Sequence, residues 1–319
     1  MPQKGFSYRV YILGNKEFFE MKSGIKYSKL EFPLFDSLFS FLYLDVMDFI
    51  GEFSDCAKQI EVMCREKDFT YANKMNSFLR GMSRLHPYFE ITRLVWEGRF
   101  YEAREQGFIN VSDLLPKKEL MHIPSTIAQR QKQITWLLET ALDLDSRRGD
   151  MQGQLLKYFK RYQDELLRKF PFHKLNINFE IVENKAFAEV LYPENIYDIV
   201  DFFLRECIKR EQPIRRCKNC QKYFAIHGRT DTEYCSRPID DLGRTCRDLG
   251  ASYVWERKKK EDEVFRVYRR EYKKRFAWIK AKKIDADEFY AWSERAREKK
   301  AKCDRGEISL EEFKEWLKR

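Results

Sequence analysis

Residues 215–251 read RRCKNCQKYFAIHGRTDTEYCSRPIDDLGRTCRDLGA, and the reading of the whole chain turns on them. Cys217 and Cys220 form a Cys-x2-Cys pair; Cys235 follows after fourteen residues and Cys246 after ten more. A Cys-x2-Cys turn presents two thiolates to one ion at about 2.3 Å, and a second pair from a separate segment completes a tetrahedron. The four cysteines are therefore expected to hold a structural Zn2+ with no open position for a catalytic water. Tyr223 and Phe224 follow the first turn as an expected strand whose rings cover the site. His227 is the one alternative ligand nearby, and its place in a polar loop favours a surface role.

The other cysteines, Cys56, Cys64, Cys207 and Cys303, are scattered through the 319 residues. Eight cysteines in so long a chain are too few for a disulfide scaffold. Together with the lack of a signal-like start or an uninterrupted apolar span, this predicts a cytosolic protein with no membrane partner. The charge is unevenly placed. Residues 1–208 carry 29 Lys plus Arg against 30 Asp plus Glu, a balance of −1, whereas residues 209–319 carry 32 against 21, a balance of +11. The excess lies in the last third, which suggests a polyanion for that end.

Between Arg257 and Lys283, thirteen basic residues face four acids, and Phe265, Tyr268, Tyr272 and Ile279 make an apolar helical stripe. One basic helix is expected here, with Arg257, Lys258, Lys259, Lys260, Arg266, Arg269, Arg270, Lys273 and Lys274 as candidate phosphate contacts. Beyond it, Asp285–Trp292 echoes Ser309–Trp316, each with a capping residue three before Glu and with Phe and Trp three apart. Two short helices folding back on the basic one are expected. The resemblance of residues 301–312 to an EF-hand loop fails at its first ligand positions, Ala301, Cys303 and Arg305.

Upstream, Tyr8–Leu13 reads as a strand and the apolar residues from Leu34 to Ile50 as one buried helix. Further helices are expected over 54–66, 70–85, 88–105, 125–143 and 152–170. Residues 176–183 and 186–192 alternate around Asn184-Lys185 as a hairpin, and a helix opened by Pro193 runs to about Glu211. The fold class is thus mainly α with a small β component: an α-rich domain over 1–212, a four-cysteine zinc ribbon over 213–252, and a helical tail over 253–319.

The strings CKNCQKYF, EYCSRP and RTCRDLGA are similar to those of an uncharacterised bacterial family of unknown function with a C-terminal four-cysteine zinc ribbon. That resemblance implies Cys217, Cys220, Cys235 and Cys246 as the ligands. More distantly the chain resembles the CGNR zinc-finger proteins, in which an α-rich domain precedes a ribbon proposed to bind DNA in transcription regulation. Here Cys246-Arg247-Asp248-Leu249 stands where that group has Cys-Gly-Asn-Arg. Phosphate-loop and dinucleotide glycine motifs are absent and the four histidines are isolated in sequence. Asp143, Asp145 and Asp150 beside Arg147 and Arg148 read as a solvated turn rather than a nuclease centre. No enzyme is therefore expected. Two functions are: a nucleic-acid-binding regulator acting through the basic end, or a protein-interaction or oligomerisation module, working through the N-terminal domain, in which zinc is purely a staple.

Overall fold

The computed structural model describes residues 6–23, 26–107, 111–146 and 149–318, and helices far outweigh strands. The chain divides into two compact units. The first comprises residues 1–216 with 222–232; the second comprises 217–221 with 233–319.

The first unit opens with β1 (Phe6–Leu13), β2 (Lys16–Ser23) and β3 (Lys26–Pro33), an antiparallel meander. It continues through α1 (Asp36–Leu42), α2 (Ile50–Glu66), α3 (Tyr71–Leu85), α4 (Phe89–Glu105), α5 (Val111–Leu114), α6 (Lys117–Leu137) and α7 (Met151–Arg161). Then come the hairpin β4 (Ile177–Val182) and β5 (Ala186–Leu191), α8 (Ile196–Lys209), and the short pair β6 (Ile214–Arg216) and β7 (Tyr223–Ala225). The five long strands make one sheet in the order β3-β2-β1-β5-β4, with β4 at a free edge. Period-two alternation gives each face its own core. Tyr8, Val10, Ile12 and Phe19 pack into the large cluster shared with the helices, and Tyr11, Phe18, Val182, Ala188 and Val190 pack on the opposite face.

The sequence expectations need four corrections in this unit. The apolar run Leu34–Ile50 is not one helix: α1 ends at Leu42, and the chain re-forms helix at Ile50 after a tight turn. The freed carbonyls of Phe41 and Leu44 both accept from Gln131 Nε2 at 2.8 Å, and Asp45 takes the Met47 N–H at 3.2 Å. The helix expected over 125–143 begins at Lys117, carries Pro124 inside it, and ends in a π-type turn over Leu138–Leu142. The helix expected over 152–170 stops at Arg161, because Tyr158 Oη accepts from Phe170 N and donates to Arg168 O, both at 2.8 Å, holding 168–170 as a return segment. Pro193 does not open α8; Asn195 does, in a reciprocal capping box with Asp198. The expected hairpin is present, its turn taking Glu183 and Asn184 to φ 55° and 52°.

The second unit contains α9 (Cys246–Glu261), α10 (Glu263–Lys280), α11 (Ala286–Asp304) and α12 (Leu310–Lys318). The single basic helix expected over 257–283 is two. Asp262 interrupts it and caps α10 by accepting from Phe265 N at 2.8 Å. The repeated tail behaves as its pattern suggests, although α11 is not short. Asp285 accepts from Glu288 N, while Ser309 and Glu312 complete a capping box. Phe289, Trp292, Ala296, Phe313 and Leu317 then bury against Val267 of α10 as a core of their own.

No helix among the described residues is long and apolar enough to cross a membrane.

Candidate metal centre

The second unit gathers the four cysteines. Cys217–Gln221 forms a tight knuckle: Gln221 N donates to Cys217 O at 2.9 Å, with Gln221 itself at φ 59°. The knuckle is tied to the incoming chain by Lys218 N donating to Glu233 O at 3.0 Å and by the Lys218–Glu233 ion pair. That register brings Cys235 beside it, and Cys235 N donates to Cys217 Sγ at 3.5 Å.

The ten residues between Cys235 and Cys246 do not spread the site. Pro238 and Thr245 pair as a single antiparallel bridge, with Ile239 N donating to Arg244 O at 2.8 Å. The Asp240 carboxylate fills the turn, accepting from Leu242 N and Arg244 N and pairing with Arg244 Nε at 2.6 Å. The insert thus closes on itself and returns Cys246, whose N–H donates to Arg237 O at 3.1 Å. Cys246 is the first residue of α9. Asp248 completes the helix start by accepting from both Thr245 N and Thr245 Oγ1 at 2.8 Å.

The four Sγ atoms all lie within 4.8 Å of one another, and they are the one group of three or more His, Cys, Asp or Glu residues among the described residues placed to hold a metal ion. A tetrahedral ion with metal–sulfur bonds of about 2.3 Å needs sulfurs about 3.8 Å apart. The Cys220–Cys235 separation is 3.7 Å, which fits that geometry and is far beyond a disulfide bond length of about 2.05 Å. Cys217, Cys235 and Cys246 are buried and Cys220 is partly so. The donor set therefore fits a metal ion, and four protein sulfurs leave no vacancy for substrate. Cys217 is pushed down, first by the Cys235 thiol that donates to it and then by backbone N–H groups of Cys220, Cys235 and Asn219. Cys235, the donor, is pushed up, mainly by the same bond and next by burial.

Three supporting residues have no signature in the cysteine spacing. Asn219 Nδ2 donates to Cys246 Sγ at 3.3 Å, and the same side chain accepts from Arg257 Nη2 at 2.8 Å through Oδ1, while Asn219 O accepts at 2.9 Å. Gly250 lets α9 approach the knuckle: a Cβ there would lie 2.5 Å from the Tyr234 ring and 3.1 Å from Asn219 Cβ. The signal available in sequence was the Gly-Ala after Cys246, whose meaning becomes clear only from this approach. His227 takes no part; its Nε2 bonds Leu34 O at 2.9 Å in the first unit. Tyr223 and Phe224 form the expected strand, and Tyr223 lies in the first unit's main core.

The candidate phosphate contacts fall on two helices. Arg257, Lys259 and Lys260 lie on α9, Arg266, Arg269, Arg270, Lys273 and Lys274 on α10, and the side chain of Lys258 is outside those described. Arg257 is committed to Asn219, and Lys274 pairs with Glu271 at 3.2 Å. Arg275, counted among the basic residues of this stretch, is buried over Trp292 and donates to Leu317 O at 3.2 Å. Lys259, Lys260, Arg266, Arg269, Arg270 and Lys273 line one groove of about 780 Å³ between α9 and α10, together with Trp255, Glu256 and Phe265. None of these six cations makes an ion pair among the described residues.

Elsewhere, Asp143 is buried and accepts from Ser146 Oγ, Asp145 pairs with both ends of the Arg215 fork at 2.8 Å, and Asp150 caps α7. Each carboxylate of that sequence cluster has its own local partner. Arg147 and Arg148 lie outside the described residues. Residues 175–319 match a family of unknown function (DUF6076), a span that includes all four cysteines and the basic groove. No curated protein and no solved structure matches the chain.

Proposed function

We propose that a structural zinc ion, held by Cys217, Cys220, Cys235 and Cys246, organises a C-terminal unit that binds nucleic acid through its phosphates. Zinc is favoured because four thiolates in a closed tetrahedral set suit a soft-ligand ion without redox chemistry. The observation that carries the nucleic-acid reading is the groove: six cations that make no ion pair among the described residues converge on one cleft beside Trp255 and Phe265. Such a concentration of like charge is costly on its own and is relieved by a polyanion. A regulatory role in transcription follows only from the resemblance to the CGNR group.

The test is a titration of the full chain with a labelled mixed-sequence nucleic acid at two salt concentrations. The affinity should fall steeply with salt, since each phosphate contact releases condensed counterion. Replacing Arg266 and Arg270 by Gln should flatten the slope by about one unit per lost contact. Absence of binding at low salt would sink the reading. The interaction-module alternative then has its own support in Phe179, Ile181 and Phe187, which stand 70 %, 57 % and 63 % exposed on the β4–β5 hairpin at the sheet edge.

A further inference from the structure

The groove between α9 and α10 is concave, and its walls carry aromatic rings as well as charge. Trp255 on α9 is 58 % exposed even though the Lys259 ammonium lies over its ring. Phe265 on α10 is half-buried, with Lys259 Nζ 5.2 Å and the Arg269 guanidinium 5.9 Å from its centre. A tryptophan left this exposed among cations is unusual for a packing residue, because burial would stabilise it by a larger margin than cation contacts alone.

The shape bears on what kind of nucleic acid fits. A helix of about 10–12 Å diameter reads a duplex by lying in the major groove, about 12 Å wide, with its basic face outward. Here the cations of both helices line a groove between them, so that face is turned toward a partner helix. A single strand has the complementary needs: phosphates that track a basic channel, and unpaired bases that stack on aromatic side chains irrespective of sequence. The volume, about 780 Å³, lies in the range of ligand-sized clefts. Lys259 is held below the ordinary lysine range, first by desolvation and then by Arg269 beside it, as befits a cation awaiting an anion.

We infer that this groove takes a single strand of nucleic acid, with phosphates against Lys259, Lys260, Arg266, Arg269, Arg270 and Lys273 and an unpaired base stacked on Trp255. The inference rests on the nucleic-acid reading above and narrows it to one substrate class. It is tested by fluorescence anisotropy of the full, metal-loaded chain at roughly 50 mM salt, where backbone attraction is strong. Three labelled probes are compared: oligothymidine of about 12 nucleotides, within the usual span of single-strand sites, a duplex of equal length, and an abasic strand of equal length.

Oligothymidine should bind about tenfold more tightly than the duplex or the abasic strand. Trp255→Ala should bring oligothymidine down to the abasic level while leaving abasic binding unchanged, and Trp255→Phe should restore most of the loss. An unaltered zinc content and circular dichroism spectrum confirm that the variant is folded. Duplex binding as tight as oligothymidine, or an oligothymidine affinity insensitive to Trp255→Ala, overturns this inference and leaves the broader reading standing. Failure of all three probes to bind overturns both.

Discussion

Asn219 shows how much of the metal site rests outside the sulfurs. Its amide donates to Cys246 and its carbonyls receive Arg257, so one residue orients a ligand and ties α9 to the knuckle. Partners of this kind fix ligand geometry, and their loss typically weakens metal affinity by about 10–100-fold. Asn219→Ala should show a loss of that size in competition with a chromogenic chelator, whereas Cys64→Ser, at a partly exposed cysteine outside the cluster, should leave affinity unchanged. Equal affinity of Asn219→Ala and the parent would remove the amide from the account. In the first unit, His86 is one residue that makes stability depend on pH. It is buried, Nε2–H donates to Ser37 O at 3.1 Å, and Nδ1 accepts from Tyr88 N at 3.3 Å, an arrangement suited to neutral imidazole. Burial pushes it down to about 4, below the unfolded value near 6.5. The unfolded chain therefore binds the proton first, and the stability His86 contributes is complete above about 6.5 and lost as pH falls toward 4. Glu17, which burial pushes up to about 8, acts in the opposite direction, so the His86 contribution is read as the difference between the parent and His86→Gln in denaturant melts of the first unit's tertiary signal, which should shrink by about 3 kcal/mol as pH falls across that window.

Elements show where sequence pattern sufficed and where it did not. The β4–β5 hairpin, the cysteine knuckle and the capped starts of α11 and α12 were legible because each is fixed by residues close in sequence: a turn, a Cys-x2-Cys, an Asp or Ser three before a Glu. Two helix ends were not, because bonds between residues farther apart in sequence decide them. Gln131 collects the carbonyls that end α1, and Tyr158 turns the chain after α7 through two bonds to 168–170. The break at Asp262 was local yet hidden, since its charge blended into a stretch read for basicity, and only the bond to Phe265 N reveals it as a cap. The candidate groove depends on that break, for without it α9 and α10 would be one rod with its charges dispersed. Asp262→Ala should cost about 0.5–2 kcal/mol through the lost cap. Phe289→Ala, which empties the centre of the small core against Val267 and Trp292, should cost about 3–5 kcal/mol. Thermal unfolding of the full chain checks both, and a Phe289→Ala cost no greater than that of the cap would contradict the packing described.

At the scale of the molecule, the two units have separate hydrophobic clusters, and the four clustered cysteines all lie in the second. The small core of α10–α12 is stabilised by few large side chains, whereas metal binding in compact thiolate sites contributes about 10–16 kcal/mol. Because the ligands must be deprotonated, the metal should leave as pH falls, and chelation should remove part of the helical signal while the first unit's tertiary signal persists. The most direct test is elemental analysis combined with native mass spectrometry of the full chain purified without added metal. One zinc per chain is expected, absent from Cys217→Ser and Cys235→Ser and retained in Cys56→Ser and Cys303→Ser. A well-folded, metal-free C-terminal unit, or a Cys220–Cys235 disulfide in its place, would contradict it.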